Sequence, residues 1–190
     1  MEDNYDISAL KKKKRVNSKA KGSTFERNIA KTFNDRFNTS EFSRSPGSGA
    51  FATTHTLPEH LKIYGDLITP QNFKYCIECK KGYNNLNLYS LYNNSSEWWG
   101  FLEQCQKDSD KCGKIPMVIF KQDRQPTLCI IPEHISPIKE LQYIEIHKIV
   151  DCNKLTYRIY KFDELLKDDD TTWIDWLESQ VISSDLISTA

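Results

Sequence analysis

Apolar residues recur at helical spacing near the start of the chain, from Phe25 to Phe37. Residues 23–26 read STFE, which matches a capping box with Ser23 as the N-cap. We therefore expect a helix that begins at Ser23. The preceding residues 1–21 are polar and without periodicity, so we expect them to be mostly unstructured.

A second helical stretch follows an Asn-rich loop over residues 82–94. Ser95 or Ser96 is its N-cap, and apolar residues from Trp98 onwards follow at helical spacing. We expect this helix to end near Gly113.

Five segments between and after these helices have the pattern of strands, either alternating or continuously apolar. They are residues 41–45, 61–69, 73–80, 115–120 and 127–131. The turn between the second and third is so short that we expect these two strands to form a hairpin. The order helix, three strands, helix, strand (αβββαβ) predicts an α/β fold with a central mixed sheet flanked by helices.

The last quarter of the chain predicts a second hairpin and two acidic helices. We expect strands at 141–150 and 155–161, a short helix at 162–167, and a helix capped near Thr171 or Thr172. Trp173, Trp176 and Leu177 are its candidate docking residues. We divide the chain into a basic arm (1–21), a core domain (22–135) and a C-terminal extension (136–190).

Charge is unevenly distributed along a chain of 190 residues that carries 26 basic and 26 acidic side chains. Residues 11–22 are basic with no acid, whereas residues 162–190 are strongly acidic. The basic run is a solvated arm, a phosphate-binding arm or a nuclear address. Its candidate DNA contacts are Lys11, Lys12, Lys13, Lys14, Arg15 and Lys21.

The apolar pattern argues against a membrane-spanning protein and against a secreted one. No window approaches about 18 consecutive apolar residues, so we expect no membrane span. The N-terminus has no apolar stretch after its charges, so we expect no secretory signal peptide. We therefore expect an intracellular protein, and its six cysteines are expected to be reduced thiols.

Candidate chemistry lies in the predicted strand over residues 73–80. Strand side chains alternate between faces, so Glu78 and Lys80 project together while Tyr75, Ile77 and Cys79 face the core. Asp66 lies in the preceding strand, and a hairpin brings it next to Glu78. Two converging carboxylates suit a hard cation such as Mg²⁺, and a neighbouring lysine can orient a water.

These residues resemble the signature of the PD-(D/E)xK nuclease family. Gly65-Asp66, a gap of eleven residues and then Glu78-Cys79-Lys80 follow its order, with Gly65 where the signature has proline. A glutamate in the preceding helix, Glu26, and a serine-containing loop at 44–49 also fit. This order is similar to that of archaeal-type Holliday-junction resolvases and related phage endonucleases, over residues 21–131.

The resemblance implies a restriction-endonuclease-like core that cleaves DNA with Mg²⁺, for which Mn²⁺ can substitute. Asp66, Glu78 and the backbone carbonyl of Cys79 would bind the metal. Lys80 would position the attacking water. Glu26 would complete the site directly or through a water.

The resemblance implies further contacts with DNA and with a second copy of the chain. Ser48, with Arg44 nearby, would meet the phosphate, and Ser45 is an equally good candidate. Gln104 falls where several relatives place a polar residue near the active lysine. Cleavage of a junction needs two symmetric incisions, which implies a homodimer, with the 98–105 helix as its apolar surface.

Other interpretations of the same residues remain. Glu78 and Lys80 could form a solvated strand face, and Glu26 could serve only the capping box. A non-catalytic nucleic-acid-binding protein is then the alternative function, and a partner-recruiting acidic tail is a third. Zinc at Cys76 and Cys79 is disfavoured, because residues three apart on a strand point to opposite faces.

Overall fold

The computed structural model of the chain describes residues 18–46, 64–92, 96–135, 137–150 and 153–175. These residues form a mixed five-stranded sheet flanked by helices, with a two-stranded sheet beside it. The predicted α/β architecture, a restriction-endonuclease-like core, is confirmed.

The helices and strands follow the predicted order αβββαβ, continued by one more strand and a hairpin. The helices are α1 (Ser18–Phe37), α2 (Glu97–Cys112) and α3 (Phe162–Leu165). The first strands are β1 (Ser43–Arg44), β2 (Leu67–Ile68) and β3 (Tyr75–Lys81). The remaining strands are β4 (Ile115–Lys121), β5 (Thr127–Pro132), β6 (Tyr143–Val150) and β7 (Asn153–Lys161). Short 3₁₀ turns lie at Leu88–Tyr92 and Asp170–Thr172.

The large sheet has the strand order β3-β4-β5-β7-β6. β3 and β4 are parallel, so their connection must cross over the sheet, and α2 provides that crossover. All other pairs in this sheet are antiparallel. The predicted hairpin near the C-terminus is therefore confirmed as β6 and β7, which continue the same sheet.

Each face of the sheet is covered by one long helix. On one face, α1 packs Phe25, Ile29 and Phe33 against alternate residues of β3, β4 and β5. On the other face, α2 packs Trp98, Trp99 and neighbouring side chains against Val118, Phe120 and Ile130. This burial contradicts the expectation that the 98–105 helix supplies a dimer surface, because the chain's own sheet already covers its apolar face.

The side chains of β3 alternate between the two faces of the sheet, as the sequence predicts. Tyr75, Ile77 and Cys79 lie in the core beneath α1. The thiol of Cys76 lies on the α2 side beside Cys112, so Cys76 and Cys79 do point to opposite faces.

The predicted hairpin between residues 61–69 and 73–80 is wrong. Among the described residues 64–69 of the first segment, only Leu67–Ile68 is a strand, and it pairs with Ser43–Arg44 rather than with β3. β3 is also an edge strand of the large sheet, not a central one. Two segments nevertheless hydrogen-bond to its outer edge. The amide of Asp66 donates to the carbonyl of Ile77 at 2.8 Å, and the amide of Lys74 donates to the carbonyl of Trp173 at 2.9 Å.

The predicted first helix exists but begins earlier than expected. α1 already includes Ser18, so Ser23 lies inside the helix and is not its N-cap. Lys19 and Ala20 favour helix, and the Thr24 hydroxyl donates to the carbonyl of Ala20 at 2.8 Å, as it does within a continuous helix. The capping-box interpretation of Glu26 is therefore wrong.

The predicted second helix agrees with the structure more closely than the first. Ser96 is its N-cap, and Gly113 at its end has the left-handed conformation.

The expected last helix does not begin at Thr171 or Thr172. These residues form a 3₁₀ turn that Asp169 caps, and Ile174 then bridges to Phe73. Trp173 is fully buried, as the docking prediction requires, whereas Trp176 and Leu177 lie outside the described residues.

Two sequence-based exclusions can be compared with the described part of the chain. None of its helices is long and apolar enough to cross a bilayer. The cysteines within it, namely Cys76, Cys79, Cys105, Cys112 and Cys129, are free thiols.

Candidate active site

A cleft of roughly 670 Å³ opens where the end of β3 meets α1 and α2. Five of the residues singled out from the sequence for catalysis or metal binding line it together with Cys79. These five are Glu26, Asp66, Glu78, Lys80 and Gln104. The fold therefore brings together residues that are up to 78 positions apart in the chain, counted from Glu26 to Gln104.

Asp66 is held against β3 by its backbone and its side chain. Its amide donates to the carbonyl of Ile77 at 2.8 Å, and its carbonyl accepts from the amide of Ser45 at 2.9 Å. Its carboxylate oxygen Oδ2 accepts from the amide of Cys79 at 2.8 Å. Asp66 is therefore next to Glu78 although the two segments form no hairpin.

Gly65 explains how the chain delivers Asp66 to this edge. Its φ is +73°, a left-handed conformation that proline cannot adopt and that other residues adopt at a cost. A Cβ built on Gly65 would lie 2.7 Å from the carbonyl oxygen of Ile77, which is closer than real contacts allow. Glycine in place of the proline of the signature therefore follows from the tight approach of this segment to β3.

Glu78 is buried, with 3% of its surface exposed, and its oxygen Oε1 is the centre of a polar network. Lys80 Nζ and Gln104 Nε2 both donate to it, the latter at 2.9 Å. Lys80 also donates to Gln104 Oε1 at 3.1 Å and lies 5.2 Å from the centroid of the Phe101 ring. Gln104 thus links α2 to Glu78 and Lys80 of β3.

The two carboxylates in the cleft influence each other. Burial, followed by the negative charge of Asp66, raises the pKa of Glu78 to about 7 against the opposing effect of Lys80. Burial lowers the pKa of Lys80, but the carboxylate of Glu78 outweighs burial, so this pKa lies above its ordinary value. Two acidic groups held this close in a buried site favour the approach of a cation.

Glu26 lines the same cleft from α1 and is also buried, but it has a different partner. Its carboxylate accepts a hydrogen bond from Arg44 Nε of β1. Arg44, expected to contact a phosphate, is thus paired with Glu26 in this structure. The side chain of Arg44 keeps about a quarter of its surface exposed (23%).

The expected phosphate contacts are only partly within the described residues. Ser48 and the basic run Lys11, Lys12, Lys13, Lys14 and Arg15 lie outside them. Ser45 is 3% exposed, and its hydroxyl is buried with no hydrogen-bond partner among the described residues. Ser45 does not line the cleft. Lys21 lines the cleft, with its Nζ 3.6 Å from an oxygen of Asp123.

Among the lining residues that sequence reasoning missed, three have long side chains: Lys19, Lys81 and Tyr83. Lys19 belongs to the basic stretch but was assigned to an unstructured arm. Lys81 directly follows the Glu-x-Lys motif, which was the available signal. Tyr83 packs its ring on Phe101 at 4.9 Å between centroids, a contact that no local pattern indicates.

The donor set fits a hard cation that keeps part of its water shell. Within the described ranges, no three His, Cys, Asp or Glu side chains are grouped as a complete metal cage. Asp66 and Glu78 still supply two neighbouring carboxylates in one cleft. One or two carboxylates are a usual protein contribution to a Mg²⁺ site.

Comparison with known proteins gives a family for this arrangement. A family model described as "Phage putative PDDEXK endonuclease" matches residues 17–178. The chain is similar to Protein D14 of Escherichia phage T5, with 33% identity over 117 residues, which cover 57% of this chain and 67% of that protein. No solved structure matches the chain significantly.

Proposed function

This chain belongs to the PDDEXK phage endonuclease family, and on that premise we propose that it is a magnesium-dependent DNA endonuclease selective for branched DNA. Nucleases of this kind generally depend on a divalent metal. The observation that carries the proposal is the convergence of Asp66, Glu78 and Lys80 in one cleft with Gln104. The basic side chains Lys19, Lys21 and Lys81 line the same cleft and provide contacts for a phosphate backbone.

The metal ligands in this proposal are Asp66, Glu78 and the backbone carbonyl of Cys79. Glu26 contributes directly or through a water. A bound Mg²⁺, for which Mn²⁺ can substitute, supplies polarisation of the phosphate and a lowered pKa of water. This role requires the ionised form of Glu78, which the positive charge of Lys80 favours, whereas burial and the negative charge of Asp66 raise its pKa and oppose it.

Lys80 acts on the water that attacks the phosphodiester. Its Nζ donates to Glu78 Oε1 and Gln104 Oε1, so its position is fixed by both neighbours before substrate arrives. From there it orients the attacking water and stabilises the negative charge that develops on the phosphate. Gln104 acts as a positioning residue, because it holds Glu78 and Lys80 together.

The same proposal includes selectivity for a four-way junction and assembly of the chain as a homodimer. Symmetric resolution of a junction needs two incisions, which two copies of one active site supply. Such an enzyme would act in recombination or repair of DNA inside an infected cell. Contacts with the DNA backbone are proposed for Lys11 to Arg15, Arg44 and Ser48. On binding DNA, Arg44 would leave the carboxylate of Glu26 and bind a phosphate.

Cleavage of a labelled four-way junction beside a matched linear duplex tests the proposal. We expect paired nicks across the junction with Mg²⁺ or Mn²⁺ and none with a chelator. Lys80→Ala should lower the rate by roughly 10²–10⁴-fold. Lys154→Ala, an exposed lysine of β7 away from the cleft, is the matched control and should cut normally.

Each other result changes a different part of the proposal. Equal cutting of junction and duplex would keep the nuclease and remove the junction selectivity. DNA binding without cleavage, for wild type with either metal, would favour the non-catalytic nucleic-acid-binding protein. Normal cleavage by Lys80→Ala would remove Lys80 from the site.

A further inference from the structure

The outer strand of the β6–β7 hairpin forms an open edge of the sheet. β6 is the last strand in the order β3-β4-β5-β7-β6, and its free side has no strand partner in the described part of the chain. Its pairing with β7 is regular through all eight residues from Tyr143 to Val150, without a bulge. β6 contains no proline. Such an edge has the backbone groups needed to pair with another strand.

This hairpin also carries most of the exposed apolar surface of the described residues. Large apolar side chains there keep between 37% and 70% of their surface exposed. They are Tyr143, Ile144, Ile149, Val150 and Leu155. By contrast, the helices have buried their apolar residues against the sheet. Exposed apolar side chains on both faces of a strand with an unpaired edge favour its pairing with another strand.

We propose that β6 pairs antiparallel with β6 of a second copy of the chain, about a two-fold axis at Ile146, to form a sheet that continues through both subunits. This interface provides the dimer that the proposed function expects, but its formation does not depend on catalysis. The occupant is a second copy because the sequence of β6 is complementary to itself in this register.

Strand geometry limits the possible registers. Opposite residues in an antiparallel pair point to the same face, so the axis must pass through a residue and not between two. An axis at Glu145 would set this carboxylate against its own copy. An axis at His147 would set two imidazoles against each other. Both registers place like groups together, which disfavours them.

The axis at Ile146 instead pairs unlike side chains. Glu145 then faces His147 of the other copy, twice by symmetry, and an imidazole N–H can donate to the carboxylate. Tyr143 faces the exposed Ile149, also twice. On the opposite face, Ile144 meets the aliphatic part of Lys148, whose ammonium is held by Glu103 of α2 at 2.9 Å. This register also uses nearly the whole strand.

One internal contact of the edge must be considered in the test. Glu145 Oε2 lies 3.6 Å from Arg158 Nε of β7 in the same chain. A change at Glu145 therefore affects the hairpin as well as the interface. A second substitution that restores only the intermolecular pair separates these two effects.

The test is the mass of the protein in solution, measured by sedimentation at about 1 to 100 µM, which covers dissociation constants in the micromolar range. We expect a concentration-dependent dimer. Glu145→Lys should raise the dissociation constant about tenfold, because two complementary pairs are lost at once. Glu145→Lys combined with His147→Glu should restore the dimer, since each lysine again faces an acid.

The control is Ile138→Lys, an equally exposed apolar position outside the hairpin, which should leave the dimer unchanged. Thermal unfolding of each variant shows that the fold is intact. A monomer at every concentration would overturn the proposal, and would mean that another protein or another segment covers this edge. A charge-reversed double variant that dimerises no better than Glu145→Lys would overturn the register. Because mass is measured and not cleavage, either result is independent of the nuclease test.

Discussion

The two edges of one sheet differ in nearly every property. At the β3 edge, the segments around Asp66 and Trp173 hydrogen-bond to the strand, and charged side chains are buried in pairs. At the β6 edge, no described segment pairs with the outer side of the strand, and apolar side chains are exposed. The first edge therefore fixes a few polar groups precisely enough for chemistry, whereas the second leaves its backbone available for assembly.

This difference shows that an edge strand can hold a candidate active site or leave its backbone available for assembly, depending on the segments that pack beside it. Both edge strands contain a glutamate and a lysine. Glu78 is 3% exposed and shares a network with Lys80 and Gln104, whereas Glu145 is exposed on the surface. Burial and preorganised partners, not residue type, distinguish the candidate site from an ordinary strand surface.

The largest expected effect comes from removing the side chain that covers the β3 edge. Trp173 is fully buried, and the centroid of its ring lies 5.5 Å from that of Phe33 and 5.6 Å from that of Tyr75. Trp173→Ala should lower the free energy of unfolding by about 3–5 kcal/mol. Ile149→Ala at the β6 edge should change it by less than about 0.5 kcal/mol. Urea denaturation of both variants measures the contrast, and similar losses would mean that the edges do not differ in stability.

The next effect concerns activity and not stability. Glu78→Gln keeps the shape of the side chain but removes its charge, so cleavage should fall roughly 10²–10³-fold while the protein stays folded. Glu145→Gln, the corresponding change on the other edge strand, should cut DNA at the wild-type rate per active site. Initial rates at saturating Mg²⁺ compare the two. Equal rates for both variants would remove the functional distinction between the edges.

The smallest effect is expected at the turn that delivers Asp66. Gly65→Ala places a Cβ against the carbonyl of Ile77 in a left-handed conformation, and should destabilise the protein by about 1–3 kcal/mol. Gly100→Ala is the matched control, because this glycine lies in α2 with open space around it. It should be neutral or stabilise the protein by up to about 1 kcal/mol. A harmless Gly65→Ala would show that this edge tolerates movement of Asp66.

Elements with strong periodicity could be predicted from the sequence. Helix α2, the buried strands β4 and β5 and the hairpin of β6 and β7 all follow from it, because a local pattern of apolar residues marks each of them. The alternation along β3 likewise predicts which side Glu78 and Lys80 occupy. The type and position of these elements depend on local pattern, so one sequence is sufficient.

Pairing partners could not be predicted in the same way. Leu67–Ile68 is only two residues long and pairs with Ser43–Arg44, a choice set by tertiary contacts and not by the short turn before β3. The approach of Asp66 to Glu78 was expected for the wrong reason, since it depends on the backbone of Gly65. The start of α1 was also misplaced, because a good local cap at Ser23 competed with residues that extend the helix.

The contact of residues 171–175 with the start of β3 also determines when the site can form. Lys74 and Tyr75 hydrogen-bond to the carbonyls of Thr171 and Thr172, each pair 97 residues apart in the chain. Contacts at such long separation form late in folding, since the closure of the intervening loop costs entropy first. During synthesis on the ribosome, β3 lacks these partners until residues 171–175 have emerged. The proposed nuclease is thus expected to remain inactive as a nascent chain until this segment can pack against β3.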